Sequence, residues 1–89
     1  MKVVWVKWVD STGQDGWTGR ADAQALRCAE FLHVGFVIYE DDLQVTLSPT
    51  TYINGHVPIT PYHSPISIPK VAIKARGDIV LPLEGPDAI

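Results

Sequence analysis

Charge is missing from a long central stretch of this 89-residue chain: residues 43–69 contain no Asp, Glu, Lys or Arg. The same stretch holds five of the seven prolines and two of the three histidines. Charged residues are depleted where protein surfaces pack against one another. We therefore expect this stretch to pack against the rest of the fold or against another subunit.

Cysteine is nearly absent, since Cys28 is the single one. One cysteine excludes both an intrachain disulfide and a cysteine-based zinc site. The sequence also lacks a run of about 18 apolar residues, the length that a membrane-spanning helix needs. Near the start, Lys2, Lys7 and Asp10 interrupt any apolar core of a signal peptide. These features predict a protein of the reducing cytoplasm that does not cross a membrane.

Basic residues are too few for a typical nucleic-acid-binding protein. The chain has 7 Lys and Arg against 10 Asp and Glu, and a pI near 5.4, whereas such proteins usually carry a basic patch. Also missing are a glycine-rich phosphate loop, zinc-ligand spacing and an evident Ser/His/Asp set. His56 and His63 have no carboxylate near them in the sequence, which disfavours a metal site. We therefore predict a non-enzymatic protein without a metal or cofactor.

Strand-forming residues, in contrast, are abundant, and a chain of this length forms one domain. Residues 2–10 read KVVWVKWVD and predict the first strand. Alternation divides its apolar side chains between two faces, which are Val4, Val6 and Trp8 on one side and Val3, Trp5 and Val9 on the other. One face lines the core of so small a domain. The other must be covered by a helix of the same chain, by its tail or by a neighbouring chain.

The remaining pattern predicts one short helix and several short strands. In chain order these are a loop at 11–16, a helix of two to three turns at 20–30, strands at 31–40 and 43–48 around a solvated acidic turn at 40–42, a hairpin tip at Asn54-Gly55, a strand from Ile66 broken at Pro69, and a last strand through Ile73. We expect Leu26 of the helix to face the sheet. Leu43, Val45 and Leu47 share one strand face, and Gly35 predicts a bulge or bend. This order favours a small, strongly bent barrel over residues 1–76, followed by a tail over 77–89.

Two segments carry a resemblance to a known architecture. GFVIYEDDLQVTL at 35–47 and ISIPKVAI at 66–73 resemble the bent-strand core of Sm-like barrels. A wider set resembles a family of small proteins of unassigned function that phages and prophages encode; it comprises Trp8, Asp10-Ser11, Gly16-Trp17, Val34-Gly35-Phe36, Glu40-Asp41-Asp42, Ile68-Pro69-Lys70 and Ile73. The resemblance implies a mainly β (α+β) fold, a strongly bent Sm-like barrel of about five strands with one short helix after the first.

The same resemblance carries expectations about function. It implies a phage-encoded protein in the cytoplasm of the infected bacterial host. Sm-like barrels commonly form homo-oligomers through exposed strand edges, so a homo-oligomer is expected. Small phage proteins of this kind often bind rather than catalyse. Some of them sequester nucleotide immune signals, and others block a host protein.

Eight aromatic or polar residues are candidate ligand contacts: Trp8, Asp10, Trp17, Arg20, Tyr52, Tyr62, His63 and Lys70. Trp17 and Arg20 form the preferred pair, because an aromatic face and a guanidinium suit a nucleotide or another anion. We expect them to meet Lys70 and the loop at 52–63 in one pocket. Core packing is the alternative for the tryptophans, and turn chemistry is the alternative for Asp10.

Three functions follow from these features. The first is sequestration of a small anionic ligand, above all a nucleotide immune signal. The second is a protein-interaction module that inhibits a host defence or regulatory protein through the uncharged 43–69 surface. The third is RNA binding, in which Lys70 would meet the ligand as a basic residue does in Sm-like rings. Lys70 lacks the accompanying polar and glycine pattern, and the acidic balance of the chain makes RNA binding the weakest of the three.

Overall fold

The protein, described by a computed structural model over residues 2–52 and 58–82, is built on one antiparallel sheet of five strands with little helix. Its elements are β1 (Val3–Asp10), α1 (Arg20–Ala25), β2 (Ala29–Glu40), β3 (Gln44–Ser48), β4 (Ile66–Pro69), a 3-10 helix (Lys70–Ala72) and β5 (Ile73–Ile79). The strand order is β4-β3-β2-β1-β5, and all neighbours are antiparallel. The described strands leave β4 and β5 as unpaired edges, so the sheet is open.

The long strand β2 serves both halves of the sheet. It pairs with β1 from Ala29 to Phe36 and with β3 from Phe36 to Glu40. At the change of partner, a Cβ on Gly35 would lie 2.9 Å from the carbonyl oxygen of Ser48. Only glycine lets the two backbones approach this closely. The close approach explains why a glycine stands at position 35, where the sequence predicted a bulge or bend. The irregularity of register itself lies two residues further on, between Val37 and Tyr39.

The sheet is strongly curled, as one contact between distant positions shows. Arg76 of β5 is aligned with Val6 of β1, and Val6 is aligned with His33 of β2. Glu40 lies seven residues beyond His33, which in a flat sheet is about 23 Å along the strand. The Arg76 guanidinium nevertheless lies 2.9 Å from the Glu40 carboxylate. The far end of β2 is therefore folded back over β1 and β5.

The core lies on the inner side of this curl. One of the two apolar faces of β1 supplies part of it, and β3 and β4 supply the rest; the buried cluster is Val4, Val6, Trp8, Val45, Leu47 and Ile68. The grouping of Val4, Val6 and Trp8 is thus confirmed. Leu43 does not join Val45 and Leu47, because it precedes β3 and is 77% exposed.

The outer side of β1 is covered in an unexpected way. Trp5 lies opposite Gly77 of β5, and a Cβ on Gly77 would come within 2.5 Å of the Trp5 indole nitrogen. The indole therefore lies against the bare backbone of its neighbour. The helix takes no part, since α1 has no buried residue and Leu26 is 41% exposed. The expectation that Leu26 faces the sheet is wrong.

Three element boundaries differ from the predicted ones. The helix stops at Ala25, because Leu26 takes an extended backbone conformation with ψ 139°, and β2 already begins at Ala29. The last strand begins rather than ends at Ile73, since the 3-10 helix occupies the residues after Pro69. It runs to Ile79, three residues into the segment predicted as a tail. The Asn54-Gly55 hairpin tip and His56 lie outside the described residues.

Replacing Gly35 with alanine tests the close passage of β3. The added methyl group must displace the β3 backbone, so Gly35→Ala should lower the free energy of unfolding by about 1–3 kcal/mol, as overpacking does. Urea unfolding followed by circular dichroism measures this difference. Gly13→Ala is the matched control, because nothing lies within 4 Å of a Cβ there. Equal effects of the two changes would show that β3 does not press on Gly35.

Candidate functional site

A surface cleft of about 530 Å³ lies in the connection between β3 and β4. It is lined by Thr50, Thr51, Tyr52, Thr60, Pro61, Tyr62 and His63. The end of β3 anchors one wall, because the buried Ser48 hydroxyl donates to the carbonyl oxygen of Thr50 at 2.7 Å. Volumes of about 300–1,000 Å³ are usual for small-molecule sites. The cleft is therefore large enough for a ligand of nucleoside size.

The chemistry of this cleft is aromatic and uncharged. Its described lining presents two phenol rings, an imidazole and three threonine hydroxyls, without a carboxylate, ammonium or guanidinium. Aromatic faces stack on planar rings, while hydroxyl groups both donate and accept hydrogen bonds. Next to His63, Ser64 adopts a left-handed conformation with φ 50°. Non-glycine residues rarely adopt this conformation, and those that do are enriched at functional sites. The arrangement suits a flat polar ring.

Three of the eight predicted contacts, Tyr52, Tyr62 and His63, line this cleft. The lining does not include Trp17, Arg20 or Lys70, which were expected to meet the same loop in one pocket. Trp17 and Arg20 lie on the long connection between β1 and β2, and both are exposed. That connection leaves the sheet where Asp10 pairs with Ala29, whereas β3 ends beside Phe36.

Lys70 belongs to a charged cluster with partners of its own. The Glu40 carboxylate accepts two hydrogen bonds from Arg76, at 2.9 and 3.3 Å, and lies 2.8 Å from the Lys70 ammonium. Arg76 first, and then Lys70, hold the pKa of Glu40 down to about 2. Each of the three side chains remains about one-third exposed. Lys70 is therefore engaged in joining the 3-10 helix to the end of β2.

The rest of the acidic turn has a structural role. The Asp41 carboxylate accepts hydrogen bonds from the backbone N–H groups of Leu43 and Gln44 and from the Tyr39 hydroxyl. The Leu43 N–H, followed by the Tyr39 hydroxyl, lowers the pKa of Asp41. Asp41 thus shapes the turn from β2 to β3. Glu40 was predicted to be part of a solvated turn. It is instead bound by Arg76, which lies 36 residues away in the sequence.

Trp8 lies in the core and not at a ligand surface. Its side chain is 7% exposed, because it shares the inner face of β1 with Val4 and Val6. The indole N–H donates to Nδ1 of His33 at 2.8 Å, and the Phe31 ring lies 5.5 Å away between centroids. The ligand-contact assignment of Trp8 is corrected accordingly. His33 was missed by sequence reasoning, because the register that aligns it with Val6, next to Trp8 on the same face, joins strands distant in sequence.

Asp10 acts as a turn residue. Its carboxylate accepts the backbone N–H of Ser11 at 2.8 Å, which is the alternative considered for it. Close by, the Thr12 hydroxyl donates to the carbonyl oxygen of Arg27 at 2.6 Å. These bonds hold the base of the connection between β1 and β2 and bring no carboxylate pair together.

Most positive charges are already paired. Five of the 7 basic side chains, Lys2, Lys7, Lys70, Lys74 and Arg76, lie within 4 Å of a carboxylate. Arg27 donates to the carbonyl oxygens of Gln24 and Leu26. Arg20 is the remaining basic residue, and no described residue contacts it through a hydrogen bond or ion pair. This pairing leaves little positive surface for a phosphate backbone and weakens the RNA-binding hypothesis.

Within residues 2–52 and 58–82, no three His, Cys, Asp or Glu side chains are grouped so as to hold a metal ion. The helices of the same part are too short and too polar to span a bilayer.

Comparison of the chain with protein-family models, curated proteins and solved structures gives no match.

The Glu40 cluster predicts a pH-dependent stability. Glu40→Gln should lower the free energy of unfolding at pH 7 by about 1 kcal/mol, the upper end for ion pairs that water reaches. The pKa of Glu40 in the folded chain, about 2, is below its value of about 4.3 in the unfolded chain. Ionised Glu40 therefore contributes fully to the free energy of unfolding at any pH well above about 4.3. The contribution is lost as the pH falls from about 5 towards 2.

Urea unfolding at pH 7, 4 and 2 measures the free energy of unfolding of the wild type and of Glu40→Gln. The difference between wild type and Glu40→Gln should shrink steadily towards pH 2. Asp42→Asn is the control, since Asp42 lies in the same turn without an ion pair to a described residue. A difference between wild type and Glu40→Gln that is independent of pH would contradict the assignment.

Proposed function

We propose that this chain is a non-enzymatic binding protein whose cleft takes a flat, polar ring, and that a nucleobase is the class that fits best. The observation that carries the proposal is the lining of the cleft, in which Tyr52, Tyr62 and His63 surround an uncharged space together with three threonines. Stacking of a base on an aromatic side chain contributes about 1–3 kcal/mol. Hydroxyl groups at the wall then select the edge of the base.

Charge decides how a nucleotide would lie. The described lining contains no Lys or Arg, so the base occupies the cleft and the phosphate points to water. A phosphate inside would lose its hydration without an ionic partner, which costs several kcal/mol. The proposed recognition therefore differs from capture of an anion, and a nucleoside should bind about as well as its nucleotide.

The biological setting of the proposal comes from the resemblance to small phage proteins. In that setting the protein acts in the cytoplasm of an infected bacterium and sequesters a nucleotide immune signal. What favours binding over catalysis is the composition of the cleft: its described lining has an imidazole and two phenols as proton-transfer groups, and no carboxylate stands beside them.

The architecture that we propose is an Sm-like barrel left open between β4 and β5. The curl that joins Glu40 to Arg76, and the short 3-10 helix between β4 and β5, support it. No described strand pairs with the outer edge of β4 or β5, so their backbone groups can pair between copies of the chain. A homo-oligomer would follow from such pairing.

A second candidate function is inhibition of a host protein through the uncharged 43–69 surface. The observation that favours it is the exposure of apolar side chains there, with Ile59 100% and Leu43 77% exposed. Aromatic and aliphatic side chains without charge are typical of the centre of a protein interface. A pull-down from bacterial lysate separates the two functions, because a ligand-binding protein should retain no stoichiometric partner.

Thermal melting with cyclic nucleotides and the matching nucleosides tests the cleft. A ligand at about 100–1,000 times its Kd should stabilise the fold by about 3–4 kcal/mol. Tyr62→Ala should abolish the shift, because it removes one stacking wall. Tyr39→Ala is the matched control: Tyr39 is another exposed tyrosine, but it contacts Asp41 outside the cleft.

Two results would contradict the proposal. One is the absence of any melting shift with the whole set of nucleosides and cyclic nucleotides. The other is an equal loss of binding in Tyr39→Ala and Tyr62→Ala, which would place the ligand outside the cleft.

A further inference from the structure

The connection between β1 and β2 is an arm that the rest of the described chain does not cover. All of its residues, 11–28, are exposed. Its helix α1 has six residues and buries none of them, whereas isolated helices shorter than about 12–15 residues are marginal in water. The Thr12–Arg27 hydrogen bond closes the base of the arm. An exposed arm with so little packing of its own is suited to contact a partner.

The arm carries an uncovered tryptophan near its tip. Trp17 is 103% exposed, as much as in an isolated peptide. It stands in an uncharged tip, Gly16-Trp17-Thr18-Gly19, and Gly16 has the left-handed φ of 76° that favours glycine. Burial of a large aromatic side chain is the strongest single contribution that an interface commonly has, and tryptophan is the most enriched residue there.

The cleft is chemically matched to that tip. Both are uncharged, and the 530 Å³ of the cleft exceeds what one indole ring needs. Tyr52 and Tyr62 offer aromatic faces, and the threonine hydroxyls offer acceptors for the indole N–H. An aromatic anchor in such a pocket is the usual centre of a protein interface.

Within one copy Trp17 does not reach the cleft. Its side chain is 103% exposed, so it contacts nothing in its own described chain. The arm leaves the sheet at the Asp10–Ala29 pair, whereas the cleft follows Ser48, which pairs with Phe36, seven residues further along β2.

We propose that Trp17 of one copy inserts into the cleft of a second copy. The contact joins two different surfaces, so it is made twice in a dimer that exchanges arms across a two-fold axis, or head-to-tail in a ring or an open chain of subunits. It uses the cleft of the proposed function, and in that respect the inference rests on it. A base in the cleft and a neighbour's Trp17 then compete, so that ligand binding loosens the assembly.

Light scattering over a concentration series tests the contact. Trp17→Ala should raise the dissociation constant of self-association at least tenfold, and circular dichroism should show an unchanged fold, since Trp17 packs on nothing. Val71→Ala is the matched control, because Val71 is 98% exposed and lies on the 3-10 helix outside the arm and the cleft. Val71→Ala should associate like the wild type.

Mixing two defective chains gives the sharper result. Trp17→Ala keeps the cleft and Tyr62→Ala keeps the arm, so an equimolar mixture retains one intact arm–cleft contact. The mixture should associate more tightly than either variant alone. Trp17→Ala chains that associate as tightly as the wild type, a wild type without self-association, or a mixture no tighter than its components would each overturn the inference.

The two proposals fail separately. If nucleosides bind while Trp17→Ala associates normally, the cleft is a ligand site and the arm is not its partner. If Trp17→Ala dissociates the assembly while no nucleoside binds, the cleft serves the neighbouring copy alone. Where both hold, a bound nucleoside should weaken self-association of the wild type, and Trp17→Ala should bind it at least as tightly.

Discussion

The structure depends on the close passage of β3 over Gly35. Since no Cβ stands between the two backbones, the second half of β2 can turn back over the first and carry β3 and β4 with it. That turn places Val45 and Leu47 against the inner face of β1, and it brings Glu40 within reach of Arg76. The buried side chains supply most of the stability of this curvature. The ion pair adds a smaller contribution, because partly exposed ion pairs contribute much less than a core. The curvature also determines where the connection after Ser48 emerges.

Features of short sequence range could be predicted. Alternation in β1 groups Val4, Val6 and Trp8 correctly, because a strand turns successive side chains to opposite faces regardless of the fold. The pattern does not say which face is inner, and Trp8 was therefore included among the ligand contacts. The helix was predicted too long for a related reason: residues 26–30 suit a helix by composition, but pairing with β1 draws Ala29 and Glu30 into β2. Tertiary pairing overrides a weak helical preference.

The residues of the site also fall into those that local sequence predicts and those that depend on contacts between distant positions. Tyr52, Tyr62 and His63 were found from composition, since a stretch without charge and rich in proline needs something to pack against, and its aromatic residues lie close along the chain. Glu40 was not found, because Arg76 reaches it across 36 residues through a curl that no local pattern encodes. His33 went unnoticed beside Trp8 for an equivalent reason, since only the register of β1 and β2 brings residues 25 positions apart together.

The three tryptophans occupy three different environments. Trp8 is enclosed and donates to His33, Trp5 lies along the backbone of Gly77, and Trp17 is surrounded by water. Indole emission shifts to shorter wavelength as the ring leaves water, so the fluorescence spectrum of this chain sums contributions from three different environments. The component at longest wavelength belongs to the arm, and the two others report on the sheet. The protein thus carries intrinsic probes for its fold and for its surface, without an added label.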